Sequence, residues 1–169
     1  MGIIKYFRIR EDETIIDKPI FLDFRRTILK SESVENEENI LYVKSTGKSI
    51  DYMDKTLLLV SDEFKEVSKI YHEDYIYKIV ILQEEGKASQ RIYWNIEMPD
   101  ESKCLTPSTT FKKDGTLDKI VINEKEVEGL AMFRLKNRLQ NSYIIRLDMA
   151  ESLLRRSLVG FILEELEHE

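Results

Sequence analysis

Residues 75–98 read YIYKIVILQEEGKASQRIYWNIEM, and their reading decides the fold. Tyr75 to Leu82 is dense in aromatic and β-branched residues, which suit a pleated sheet surface. Glu84-Glu85-Gly86-Lys87 has turn chemistry, because glycine reaches positive φ without steric cost. Arg91 to Met98 returns as a second strand, with Ile92, Trp94, Ile96 and Met98 alternating onto one face. The stretch therefore predicts an antiparallel hairpin. Tyr75 and Tyr77 share a face opposite Ile76. With Tyr71, Tyr93 and Trp94 they either complete a core or, on a face that no helix covers, form a binding surface, since Tyr and Trp serve as interface anchors.

Upstream of the hairpin, Leu57 to Val60 reads as a short buried strand. Ser61 then offers a helix cap, with Asp62 and Glu63 at the positive end of the dipole. Phe64, Val67, Ser68 and Tyr71 fall on one helical face. The same layout returns at residues 143–156. Tyr143 to Leu147 is a strand, Asp148 with Glu151 has the spacing of a capping box, and Gly160 is placed as the helix stop. Two strand, capped-helix, strand units must each cover an apolar sheet face. The expected class is α+β, a mostly antiparallel or mixed sheet with both units packed against it.

Further out, Ile3 to Arg10 reads as a short edge strand and Ile40 to Val43 as another strand. Residues 99–116 form a long connection of the kind that is often functional or mobile. Leu117 to Asn123 and Leu130 to Leu135 are strands around a turn at Gly129. Phe161 to Leu163 is a last strand before a Glu-rich tail that is expected to fray at His168. A chain of 169 residues suits one domain, 1–169, with one hydrophobic core.

Little of this sequence points to catalysis. Ser45-Thr46-Gly47-Lys48-Ser49 ends like a phosphate loop, but Leu41 or Tyr42 stands where the first glycine is required. Cys104 is the single cysteine, and with only His72 and His168 a zinc cluster is not expected. His72 beside Glu73 and Asp74 reads as a helix-end residue that the dipole favours. No catalytic, metal or cofactor site is expected. The net charge is −6, which opposes nucleic-acid binding; it either simply keeps a small protein soluble or permits a basic protein partner. No apolar run reaches the ~20 residues that span a bilayer. The charged start MGIIKYFRIRED lacks the pattern of a secretion signal, so the cytoplasm is the expected compartment.

A set of segments between residues 55 and 166 carries a likeness to a known family. They are LLLVSDEF (57–64), YKIVIL (77–82), RIYWNIEMPDESKCL (91–105), KIVINEKEVEGLAMFRL (119–135), YIIRLDMAESLLRR (143–156) and GFILEEL (160–166). Tyr93-Trp94, the patch at Asp100 and Ser102, Phe133-Arg134 and Gly160-Phe161 mark the pattern. The order resembles a bacterial family of immunity proteins of polymorphic toxin systems, the branch numbered eleven. Residues 1–54 are an unmatched part of the same domain. The resemblance implies a protein that binds and neutralises a cognate toxin and catalyses nothing itself. A structural or regulatory interaction module, self-associating or not, is the alternative. The residues proposed for protein binding are the acidic Glu35, Glu37 and Glu38, the aromatic pair Tyr93 and Trp94, and Asp100 with Glu101.

Overall fold

The computed structural model describes residues 2–22, 39–72 and 74–169. In chain order the strands are β1 (Tyr6–Glu11), β2 (Ile20–Phe21), β3 (Asn39–Ser45), β4 (Tyr52–Met53) and β5 (Leu59–Val60). Helix α1 (Asp62–Tyr71) precedes β6 (Ile76–Glu84), β7 (Gln90–Glu97), β8 (Val121–Ile122), β9 (Met132–Leu135) and β10 (Ser142–Arg146). Helix α2 (Leu147–Arg155), β11 (Phe161–Glu165) and β12 (Glu167–His168) complete the chain. The fold is α+β, as the alternation of periods in the sequence implies.

The hairpin that opens the sequence reading is β6 and β7, in register from Ile76↔Glu97 to Gln83↔Gln90. It forms the middle of a six-stranded sheet of order β2-β3-β6-β7-β5-β4. There β3 runs parallel to β6, and the other pairings are antiparallel. A four-stranded antiparallel sheet has the order β11-β1-β10-β9, and β12 pairs with β8 in a parallel two-stranded ladder. The expectation of an edge strand at the N-terminus is corrected. β1 lies inside its sheet, with Tyr6↔Arg146 on one side and Phe7↔Glu165 on the other. Both partners come from the far end of the chain, and no local pattern announces them. The tail is corrected too: Glu167↔Val121 and His168↔Ile122 pair it into the fold.

Three apolar clusters hold these layers. In the largest, Val60, Tyr75 and Ile96 of the six-stranded side meet Ile9, Met132 and Ile145 of the four-stranded sheet. Phe64 and Val67 of α1 and Met149, Ala150 and Leu153 of α2 fill the same space. The two helix units thus serve different sheets and share one core, where the sequence suggested one sheet for both. The other face of the four-stranded sheet carries Tyr6, Phe133, Leu135 and Ile144. The connection after β7 covers them with Cys104, Leu117, Ile120, Ile122 and Val127. That connection is therefore a wall of the second core. A third cluster joins Leu41, Val43, Val80, Leu82 and Tyr93 to Ile50, Met53 and Leu59. Burying one such side chain stabilises the fold by roughly 1.5–3 kcal/mol.

The helix ends differ from each other. Ser61 caps α1 as expected, its Oγ accepting from the Phe64 N–H at 3.2 Å. The capping box at α2 is a correction. β10 runs straight into the helix at Leu147, so Arg146 occupies the cap and Asp148 already lies in the first turn. Asp148 accepts two bonds from the Arg146 guanidinium, at 2.8 and 2.9 Å, and Glu151 pairs with Arg155. The helix stops at Arg155, before Ser157 at φ 56°. Gly160 is not the stop. Its φ is +108°, and a Cβ there would stand 2.9 Å from the Tyr52 carbonyl oxygen, so this glycine lets two chain segments touch.

Candidate functional site

The residues proposed for binding do not form one site. Glu35, Glu37 and Glu38 lie outside the described residues. Tyr93 is corrected from surface to core: it is 1% exposed, and its hydroxyl accepts from the Ile50 N–H at 3.4 Å. Burial raises its phenol above the ordinary range. Alternation along β7 explains this, since neighbours in a strand point to opposite faces. Tyr75 belongs to the largest core, on the opposite face of the sheet from Tyr93, and half-buried Tyr77 packs against that core. Asp100 is exposed, but its carboxylate is engaged in a local turn. It accepts from the Ser102 N–H and hydroxyl and from the Lys136 N–H. Burial pushes this carboxyl up, yet the bonds from Ser102 and Lys136 outweigh it and hold it below the usual range. The Glu101 N–H donates to the Arg134 carbonyl at 2.9 Å, and Asp100 bridges to Arg134 as well. Asp100 and Glu101 thus close the outer side of β9.

Trp94 stands elsewhere, half-buried on the six-stranded sheet. Its Nε1–H donates to Asp62 Oδ1 at 2.6 Å, and Lys65 Nζ sits 3.6 Å from the ring centroid. The bond from Trp94, then that from Lys65, holds the Asp62 carboxyl below the usual carboxylate range. These contacts pin α1 over one end of a sheet face, where Tyr77 also meets Ser68, oxygen to oxygen, at 2.7 Å.

Among the described residues, part of that face is exposed. Ile40 and Tyr42 of β3 are 48% and 59% exposed, and Ile92 of β7 is 57% exposed. Register places Ile40 beside Ile81 and Ile81 beside Ile92, so the exposed Ile40 and Ile92 flank Ile81, which is itself buried. Tyr42 lies beside Gln83, and Ile79 beside Trp94. On the reverse of the same strands, Leu41, Val43, Val80, Leu82 and Tyr93 are buried. The sheet is thus apolar on both faces, with only part of one face covered. Single exposed apolar residues are ordinary, whereas a contiguous row marks an interaction surface. Charges of both signs border it: on α1, exposed Asp62, Glu63 and Glu66 stand beside Lys65 and Lys69, which pair with Asp62 and Glu66 and lie against Trp94 and Tyr77. In the sequence, the Glu-rich run from residue 30 ends where β3 begins. Sequence reasoning missed Ile40 and Tyr42. The available signal was the unbroken run Ile40-Leu41-Tyr42-Val43, too apolar for a strand with a solvated face.

The groups weighed for chemistry are structurally committed. Cys104 is fully buried, and burial pushes its thiol up to about 12. His72 stacks on Tyr75, with ring centroids 4.6 Å apart, and its Nδ1 accepts from the Asp74 N–H. His168 Nε2 lies 3.4 Å from Glu124 Oε1. In the loop that resembles a phosphate binder, a Cβ on Gly47 would come 2.4 Å from the Lys18 carbonyl carbon, so the backbone there meets protein. Among the described residues no cluster of His, Cys, Asp or Glu could hold a metal ion, and no helix is long and apolar enough to cross a membrane.

The described residues make an α+β protein with Ile40, Tyr42 and Ile92 exposed on one face of its six-stranded sheet. Comparison with known families matches no family model, and a search of curated proteins finds no match.

Proposed function

We propose that this protein works in the cytoplasm as a non-catalytic binder that blocks another protein, and that its target is a bacterial toxin with a basic surface. The observation that carries this reading is the exposure of Ile40, Tyr42 and Ile92 on one face of the sheet, with buried Ile81 between the two isoleucines, while Leu41, Val43, Val80, Leu82 and Tyr93 are buried on the reverse face. Such exposed side chains anchor a partner by apolar burial. The net charge of −6 then favours a basic partner and speeds its approach. The resemblance to immunity proteins supplies the kind of partner.

The test is co-expression with the product of the neighbouring reading frame in a sensitive host. Rescue of growth, with a stable complex on size exclusion, is the expected result. A toxic neighbour that this protein neither rescues nor binds overturns the reading. A mass that grows with concentration in light scattering would instead assign the open face to self-association.

A further inference from the structure

A second site lies on the four-stranded sheet and is independent of the open face. A cleft of about 350 Å³ is lined by Arg8, Arg10, Asp54, Lys112, Asp114 and Ser142, among others. That volume suits a small ligand. β1 forms part of it. Tyr6 points into the second core, and Arg8 and Arg10 follow on the same face where that core ends.

The charges in the cleft are unevenly satisfied. Each carboxylate already has donors within the protein. Asp54 accepts from the Tyr52 hydroxyl at 2.9 Å and from the Glu11 N–H at 3.3 Å. Glu11 takes the Lys18 ammonium at 2.9 Å and the N–H groups of Asp54 and Lys55. Asp114 accepts from the Thr116 N–H and hydroxyl, and Glu13 lies 3.7 Å from Lys55. Arg10 pairs with Glu164, the residue that stands opposite Arg8 in the register. Arg8 is left over. Its Nε–H is shielded from solvent and has no acceptor among the described residues, as is also true of the Arg10 Nε–H, whereas the Arg10 Nη2 reaches Glu164. Burial lowers its pKa, and the nearby carboxylates of Glu164 and Asp54 offset this only in part. A partly buried guanidinium without an acceptor is costly, and an oxyanion is the partner whose geometry fits its fork.

We propose that this cleft binds a small molecule through an oxyanion, carboxylate or phosphate, that the Arg8 guanidinium receives. Lys112, exposed at the rim, adds positive charge at the entrance. Asp54 and Glu164 attract Arg8 through space, but the hydrogen bonds they accept come from Tyr52, Glu11 and Arg10.

The experiment is an NMR titration of the whole protein, following the Arg8 Nε–H signal. Sodium succinate and inorganic phosphate are the probes, at constant ionic strength with chloride as reference. A saturable shift of this signal with either probe is expected, and the probe that binds more tightly tells carboxylate from phosphate. Arg8→Gln is expected to weaken binding by at least about tenfold, and Arg8→Lys, which keeps the charge and loses the fork, by less. The wild-type signal decides the matter even if Arg8→Gln does not fold. Shifts that never saturate, shifts that leave the Arg8 Nε–H unmoved, or folded variants that bind like wild type overturn the proposal.

Discussion

Trp94 Nε1 donates to Asp62 Oδ1 at 2.6 Å, and this bond ties the middle of β7 to the first turn of α1. It sets where the helix ends its cover of the sheet and therefore where the open face begins. Trp94→Phe is expected to destabilise the protein by about 1 kcal/mol, the order of one such hydrogen bond. The effect has a pH signature. Asp62 has a lowered carboxyl pKa in the folded state, so its contribution is present above the unfolded value of about 3.9 and is lost as pH falls through the folded value. The stability gap between wild type and variant should be constant near neutral pH and shrink below about pH 4. Urea unfolding across pH measures it, and a gap that widens in acid would contradict the assignment.

The glycines separate backbone conformation from crowding. Gly47, Gly86 and Gly160 all have positive φ, but only Gly47 and Gly160 have protein backbone within 3.0 Å of a would-be Cβ. Gly86→Ala should cost about 1 kcal/mol, the penalty of the left-handed backbone alone. Gly47→Ala and Gly160→Ala should each cost more, roughly 2–4 kcal/mol, because Lys18 or Tyr52 must also move. Thermal unfolding of the three variants tests the ranking.

Cys104 is fully buried with its thiol pushed up to about 12, so it should resist an aromatic disulfide reagent at pH 8 in the native protein. It should react at once in denaturant. The labelling rate should follow unfolding rather than pH, and fast native labelling would contradict the burial of the second core.

Much of the fold could be read in the sequence where its signals are local. The β6–β7 hairpin, the Ser61 cap and the Phe64–Val67 face depend on neighbours a few residues apart, and each is found as expected. What the sequence hid is long-range. β1 gains its interior place from partners at residues 143–146 and 161–165, and the tail is held by Val121 and Ile122. At α2 a one-residue difference in where β10 ends moved Asp148 out of the cap. The binding residues were legible only in part. Trp94 lies at the border of the open face, but Tyr93, adjacent in sequence, points the other way into the core. Ile40 and Tyr42 became visible once the parallel pairing of β3 with β6 set them beside Ile81 and Gln83.

The two faces of β7 yield opposite expectations for adjacent residues. Tyr93→Ala removes a fully buried ring and should destabilise by roughly 3–5 kcal/mol, as large aromatic truncations do. Ile92→Ser changes an exposed side chain and should stay within about 0.5 kcal/mol of wild type. Paired chemical unfolding curves check both.

The most direct measurement for the central claim is the affinity of the Tyr42→Glu/Ile92→Glu double variant for the toxin identified by growth rescue, measured by calorimetry beside wild type. Both sites are exposed, so the variant should keep the circular dichroism and melting behaviour of wild type. The account predicts that it loses at least about 100-fold in affinity, the scale of losing two interface anchors. A folded double variant that binds the toxin as tightly as wild type would contradict the assignment of the open face as the binding surface.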